Sequence, residues 1–275
     1  MRLTRRTALA AAAAWVAAPA LAADDRFALR GQPTQGGWLR GRVPQGTTAL
    51  RLDDQALAYA ADGAFLIAFD RDAVPVATLV AETPAGPVRQ ALGIAPRAWP
   101  IEHVDTPMHP AGMPDAEFAR RRADELARIR TARAHDTGAQ GWRQTMIHPA
   151  RGPMSGRFGA QRVFRGVPAA YHGGMDIAAG AGTAIVAPAD GVVVLAAVAD
   201  LFTLEGHLII IDHGMGLNSA MLHARTVSIG QGAAVAQGQT ICQVGMTGRA
   251  TGPHLHWGLT WHRRRLDPLL FLQDR

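Results

Sequence analysis

The 275-residue sequence contains no lysine, so all 28 of its basic residues are arginine. That inflates the isoelectric point to 10.9 on a formal net charge of only +6. A single cysteine, Cys242, excludes an internal disulfide. It sits in an apolar run that reads as core strand, where a thiol packs as a small hydrophobe. No H-E-x-x-H occurs, which excludes the helical zinc motif with a glutamate base. The one long apolar stretch, near the N-terminus, is too short to span a bilayer.

The N-terminal 22 residues have the organisation of an export signal. Arg2, Arg5 and Arg6 open it, Thr7 to Ala20 is alanine-rich, and Ala20-Leu21-Ala22 is a small-x-small cleavage site. Arg5-Arg6 also suits twin-arginine export. Removing the signal takes the formal charge from +6 to about +3. Arg120-Arg121-Arg122 and Arg263-Arg264-Arg265 are then solvated faces rather than phosphate clamps, and a nucleic-acid partner is not expected. A mature protein in the periplasm or beyond, with no membrane span left, is.

Residues 23–97 read as short strands (37–43, 49–52, 64–69, 73–81 and 88–92) separated by Pro/Gly turns, the rhythm of a small sandwich-like domain without chemical residues. It is a candidate surface for a regulatory partner. Residues 98–146 read as a linker with one helix at about 114–133, Pro114 near its start and Phe118, Leu126 and Ile129 as its apolar stripe. Residues 147–275 return to short strands, at 183–186, 192–198, 208–211 and 239–244. The fold class expected is mainly β.

Chemistry concentrates in that last segment. His172-Gly173-Gly174-Met175-Asp176, His223 and His254-Leu255-His256 supply one carboxylate and four histidines. A catalytic zinc needs three protein ligands and an open position, which two histidines and a carboxylate provide. Two histidines are left over for proton transfer. His254 to Leu259 alternates, so His254 and His256 share a face with Leu255, Trp257 and Leu259 packed behind. The glycines between His172 and Asp176 disfavour a helix, and an extended segment puts both on one face. Side by side, the two segments place His172, Asp176 and one of the paired histidines around one ion. Leu217 to His223 returns antiparallel to 207–213 through Gly214-Met215-Gly216, which ends His223 at a cleft rim. His207, His213 and His262 stay outside the metal shell, and His103, His109, His135 and His148 read as exposed connectors. Tyr171 has two readings, a donor to a developing oxyanion or a packed aromatic.

These residues, in this order, resemble the LytM/lysostaphin-type zinc metallopeptidases over about Met154 to Leu272: H-x-G-x-D, a lone histidine, then H-x-H. Ser155-Gly156-Arg157-Phe158-Gly159, Ala187-Pro188-Ala189-Asp190-Gly191 and Gly245-Met246-Thr247-Gly248-Arg249 are also similar. Met221-Leu222-His223-Ala224 departs from the family's usual Tyr-Ala-His-Leu. The resemblance implies a compact antiparallel, lysostaphin-like sheet and zinc held by His172, Asp176 and His256. It makes His223 and His254 the catalytic pair and peptidoglycan peptide stems the substrate. It also implies cleavage of a D-alanine to diamino-acid cross-link. A second reading is a non-catalytic relative that activates a wall amidase; such relatives have lost ligands, whereas all five positions are present here. Residues 227–241 resemble a biotinyl or lipoyl carrier, which the absence of lysine excludes.

Overall fold

The computed structural model describes residues 26–105 and 113–272. The export signal and His109 lie outside them. Among the described residues no helix is long and apolar enough to cross a membrane.

The N-terminal part is two small antiparallel sheets. β1 (Ala28–Gln32), β2 (Trp38–Arg42) and β5 (Ala64–Ala68) form one; β3 (Ala49–Leu52), β4 (Gln55–Leu57), β6 (Val76–Glu82) and β7 (Val88–Gly93) form the other, in the order β4-β3-β6-β7. Residues expected to be linker include β8 (Ile101–Val104), which pairs parallel with a later strand, β10 (Gln161–Phe164). Its exposed alternation hid it, because the partner lies some sixty residues on.

Helix α1 spans Asp115–Arg133, with Pro114 as its N-cap residue and Asp115 and Glu117 in the first turn, where carboxylates suit the dipole. Its packed face matches the expected stripe at Ile129 but not at Leu126. Leu126 is 40 % exposed, while Ile129, Ala132 and the charged Glu125 are buried. Glu125 is tied down from afar: the backbone N–H and hydroxyl of Thr203 donate to it, and Arg122 bridges it to Glu205. Arg122 is therefore an ion-pair residue, not a solvated one.

After β9 (Met154–Gly156), β10 and β11 (Val167–Pro168) come β12 (Met175–Ala178), β13 (Ala184–Val186), β14 (Gly191–Phe202), β15 (Gly206–Asp212) and β16 (Leu217–Ala224). Then follow β17 (Thr226–Val227), β18 (Ala234–Val235), β19 (Thr240–Gln243), β20 (His254–Trp261) and β21 (Arg264–Leu266). The main sheet runs β18-β14-β15-β16-β20-β12-β9, with β21 paired to β20. All its pairings are antiparallel. The protein is mostly β, with the curled sheet and lysostaphin-like fold expected.

Strand β20 carries the organisation. Leu255, Trp257, Leu259 and Trp261 have no exposed surface, and burying a side chain of this size contributes about 1.5–3 kcal/mol. Their burial fixes the register and turns His254, His256, Gly258 and Thr260 to the opposite face. Cys242 is buried in β19, and burial pushes its thiol up to about 12. On the chemical face α1 packs against β14 and β15 through Ile129, Ala132, Leu195, Leu208 and Ile210.

The N-terminal sheets join the same core. The Trp38 indole N–H donates to the Leu270 carbonyl at 2.7 Å, and its ring lies 5.3 Å from that of Phe271. Arg97 pairs with buried Asp267 at 2.8 Å.

Candidate metal centre

Antiparallel pairing sets Asp176 of β12 directly opposite His256 of β20. His172 comes from the loop just before β12 rather than from the strand itself. One ligand atom from each of His172, Asp176 and His256 lies within 4.8 Å of the other two. His172 Nε2 is 3.0 Å from Asp176 Oδ1 and 2.9 Å from His256 Nδ1, and His256 Nδ1 is 2.8 Å from Asp176 Oδ1.

Two glycines permit this convergence. A Cβ on Gly156 would stand 2.4 Å from Asp176 Oδ2 and 3.0 Å from His172 Cε1; one on Gly174 would stand 2.4 Å from the Trp257 carbonyl oxygen and 2.7 Å from His256 Nε2. Both contacts are too close for any side chain.

The donor set fits a cation such as zinc. His172 Nδ1 is 2.9 Å from the Arg157 carbonyl, which can only accept, so Nδ1 carries the proton and Nε2 presents a lone pair. That lone pair faces a carboxylate oxygen, an arrangement that needs a positive centre between the two. Burial opposes ionisation of Asp176, but its close contacts with the His172 and His256 rings outweigh it and hold the carboxyl far below the usual range. Arg162, absent from the expected residues, adds an ion pair to Asp176 Oδ2 at 3.0 Å. Burial lowers His256, which keeps it neutral.

His223 and His254 flank this cluster, with ring centroids 4.8 Å apart; His223 lies 6.3 Å from His256. His254 Nε2 is 3.9 Å from Asp176 Oδ1. Each ring is oriented from behind by a backbone carbonyl on its Nδ1, Thr247 at 2.8 Å for His223 and Gly252 at 2.8 Å for His254. Both therefore present Nε2 as an acceptor. His223 holds φ of 63°, a left-handed conformation uncommon outside glycine, and strain of this kind concentrates at functional positions. Burial, then the charge of His256, lowers its pKa to about 3.

Tyr171 is the packed aromatic. Its hydroxyl donates to Asp70 of the N-terminal part at 3.3 Å, and its ring lies under Arg71. The cluster opens onto a cavity of about 500 Å³ whose opposite wall is α1, through Phe118, Ile129 and Arg133. The expected stripe of Phe118, Leu126 and Ile129 marks that wall; the anchoring of the helix through Glu125 and Arg122 was not signalled.

Residues 170–268 match the model of peptidase family M23, and that span contains all five residues. The chain thus carries an M23 peptidase domain. It is 38 % identical over 100 residues to the peptidoglycan DD-endopeptidase ShyA of Vibrio cholerae, covering 36 % of this chain and 23 % of that protein. Over 102 residues it is 36 % identical to the murein hydrolase activator NlpD of Escherichia coli, covering 37 % and 26 %. The chain therefore spans about a quarter of the length of these relatives. A peptidase M23 crystal structure from Pseudomonas aeruginosa is 25 % identical with a TM-score of 0.66, covering 88 % of this chain and 95 % of that one. That likeness reaches beyond the M23 span into the N-terminal sheets.

Proposed function

We propose that the protein is an exported zinc-dependent endopeptidase that hydrolyses peptide cross-links of bacterial peptidoglycan. Residues 147–275 would be the peptidase domain and residues 23–97 a separate β domain. The observation that carries this reading is the convergence of three lone-pair donors beside two histidines whose Nε2 atoms are left free by backbone anchors. The kinship to ShyA supports the substrate class.

His172, Asp176 and His256 would hold the ion. Zinc bound there would acidify a water molecule and polarise the scissile carbonyl. The protein's own part is positioning and proton transfer. Neutral His223 accepts the proton of the attacking water at Nε2, its Nδ1–H held by Thr247. That proton passes on to the Nε2 of His254, which Gly252 orients, and from there to the departing amine, so that none is gained or lost. Arg162 keeps Asp176 ionised and aligned.

The activator reading rests on kinship to NlpD. It lacks a positive observation in the site, where all five residues are present and converge. Supplying the purified chain with zinc and a cross-linked muropeptide dimer separates the two: monomer release supports the endopeptidase, and zinc uptake without hydrolysis supports the activator.

A further inference from the structure

The cavity beside the metal centre holds more cationic charge than its own residues neutralise. Arg122 is held between Glu125 and Glu205, Arg162 pairs with Asp176 and Glu102, and Arg249 stacks over Phe164. Arg133 differs. It lines the same cavity, its Nε is sealed from solvent, and that atom has no hydrogen-bond partner. The hydroxyl of Thr260, on the cavity-facing side of β20, is likewise buried without a partner. Arg265 stands on the opposite wall, its Nη1 3.2 Å from where a Cβ on Gly173 would be and its guanidinium 5.5 Å from the Tyr171 ring centroid, with no carboxylate of the described residues paired to it.

An arginine in the last turn of a helix usually serves the dipole from an exposed position. Arg133 instead has its Nε buried, and an unsatisfied buried polar group destabilises the fold. Burial, followed by the charge of Arg265, lowers its pKa to about 10, and Glu205, already paired with Arg122, only partly offsets them. Two cations that repel each other, together with an unpaired hydroxyl in one cavity, are arranged for an anion they do not have.

We propose that Arg133, Arg265 and Thr260 form a carboxylate-binding subsite that recognises an anionic group of the peptide being cleaved. Thr260 lies four residues along β20 from His256, about 13 Å at the rise of an extended strand. Between them, Gly258 of β20 and Ala220 of β16 face each other across the strands and leave a shallow trough. An extended peptide lying in that trough reaches from the metal centre to the subsite in roughly four residues. The carboxylate supplies planar acceptors for the guanidiniums and one for the hydroxyl, and so satisfies all three. The subsite rests on the endopeptidase reading for the identity of its ligand, a stem peptide with free carboxylates. It also makes α1 a specificity element rather than only a packed wall.

The test is a binding titration of the full chain with two probes: a tetrapeptide stem bearing free carboxylates, and the same peptide with every carboxylate converted to carboxamide. The monomeric stem carries no cross-link, so binding is read without endopeptidase turnover. Wild type is expected to prefer the acid by about 10- to 100-fold, the range for charge-assisted hydrogen bonds. Arg133→Gln should abolish that preference with amide binding unchanged, Arg133→Lys should keep part of it, and Thr260→Val should lose a few-fold. The Tm of Arg133→Gln should stay level or rise, because an unpaired buried charge has been removed. A lowered Tm with the acid preference intact would assign Arg133 a structural role and overturn the proposal. Equal affinity of wild type for the two probes would overturn it as well. An acid preference in a protein that hydrolyses no cross-linked dimer would leave the subsite standing and sink the endopeptidase reading.

Discussion

The β15–β16 hairpin holds a buried histidine at each end, and the two are used in opposite ways. At the turn, His213 has no exposed surface and both ring nitrogens are occupied. Its Nδ1–H donates to the Asp190 carbonyl at 2.7 Å, and Nε2 accepts from the Ser219 hydroxyl at 2.7 Å. Ser219 in turn accepts from the Trp257 indole at 3.2 Å. At the open end, His223 is anchored through one nitrogen only, and the other faces the metal cluster. Burial lowers both pKa values. A depressed pKa therefore does not separate scaffold from chemistry here; the number of ring nitrogens satisfied from within the fold does.

The largest expected effect lies at the three proposed zinc ligands. His172→Ala, Asp176→Ala or His256→Ala should each lose bound zinc, measured by metal analysis, and with it all turnover above background. His223→Ala and His254→Ala should retain zinc while losing about 10²–10⁴-fold in kcat, since each removes a proton-transfer group. Equal zinc loss in both sets would show the roles to be divided wrongly. Gly174→Ala should weaken zinc affinity by about 10- to 100-fold, because its Cβ pushes on His256. At the scaffold end the pattern reverses. His213→Ala should lower stability by about 1–3 kcal/mol, since the Ser219 hydroxyl proton loses its acceptor and the Asp190 carbonyl loses the His213 donor, while turnover per folded molecule stays at wild type.

The smallest effect is pH-dependent. Burial depresses the folded-state pKa of His213 below its unfolded value. The unfolded chain then binds the proton first, so the stability this residue supports is complete above about pH 6.5 and lost as pH falls below it. Thermal melts across pH 7 to 5 should steepen in wild type relative to His213→Ala, and parallel curves would contradict the assignment.

Much of this was legible in the chain. The alternation from His254 to Leu259 gave the strand, its buried face and the shared face of the two histidines, and the glycine turn at 214–216 gave the hairpin. The elements that escaped depend on distant partners. β1 is mostly exposed and gains its place from β2, and β8 is defined by β10. On α1, the sequence offered Leu126 in the apolar stripe and did not single out Glu125. Glu125 is buried because Thr203 and Arg122, itself paired with Glu205, hold it across the fold, a fact no local pattern carries. At the candidate site, the convergence of His172, Asp176 and His256 was readable, but the backbone carbonyls of Arg157, Thr247 and Gly252 that orient the rings were not. Nor was the docking of Asp70 on Tyr171, which takes that hydroxyl out of the oxyanion role.

The most direct test of the central claim is digestion of purified, cross-linked peptidoglycan by the full chain, with products separated as muropeptides. Dimers should become monomers with zinc present, stop on chelation and resume when zinc is restored. Release of intact stem peptides from the glycan, or no hydrolysis by the zinc-loaded protein, would contradict the account.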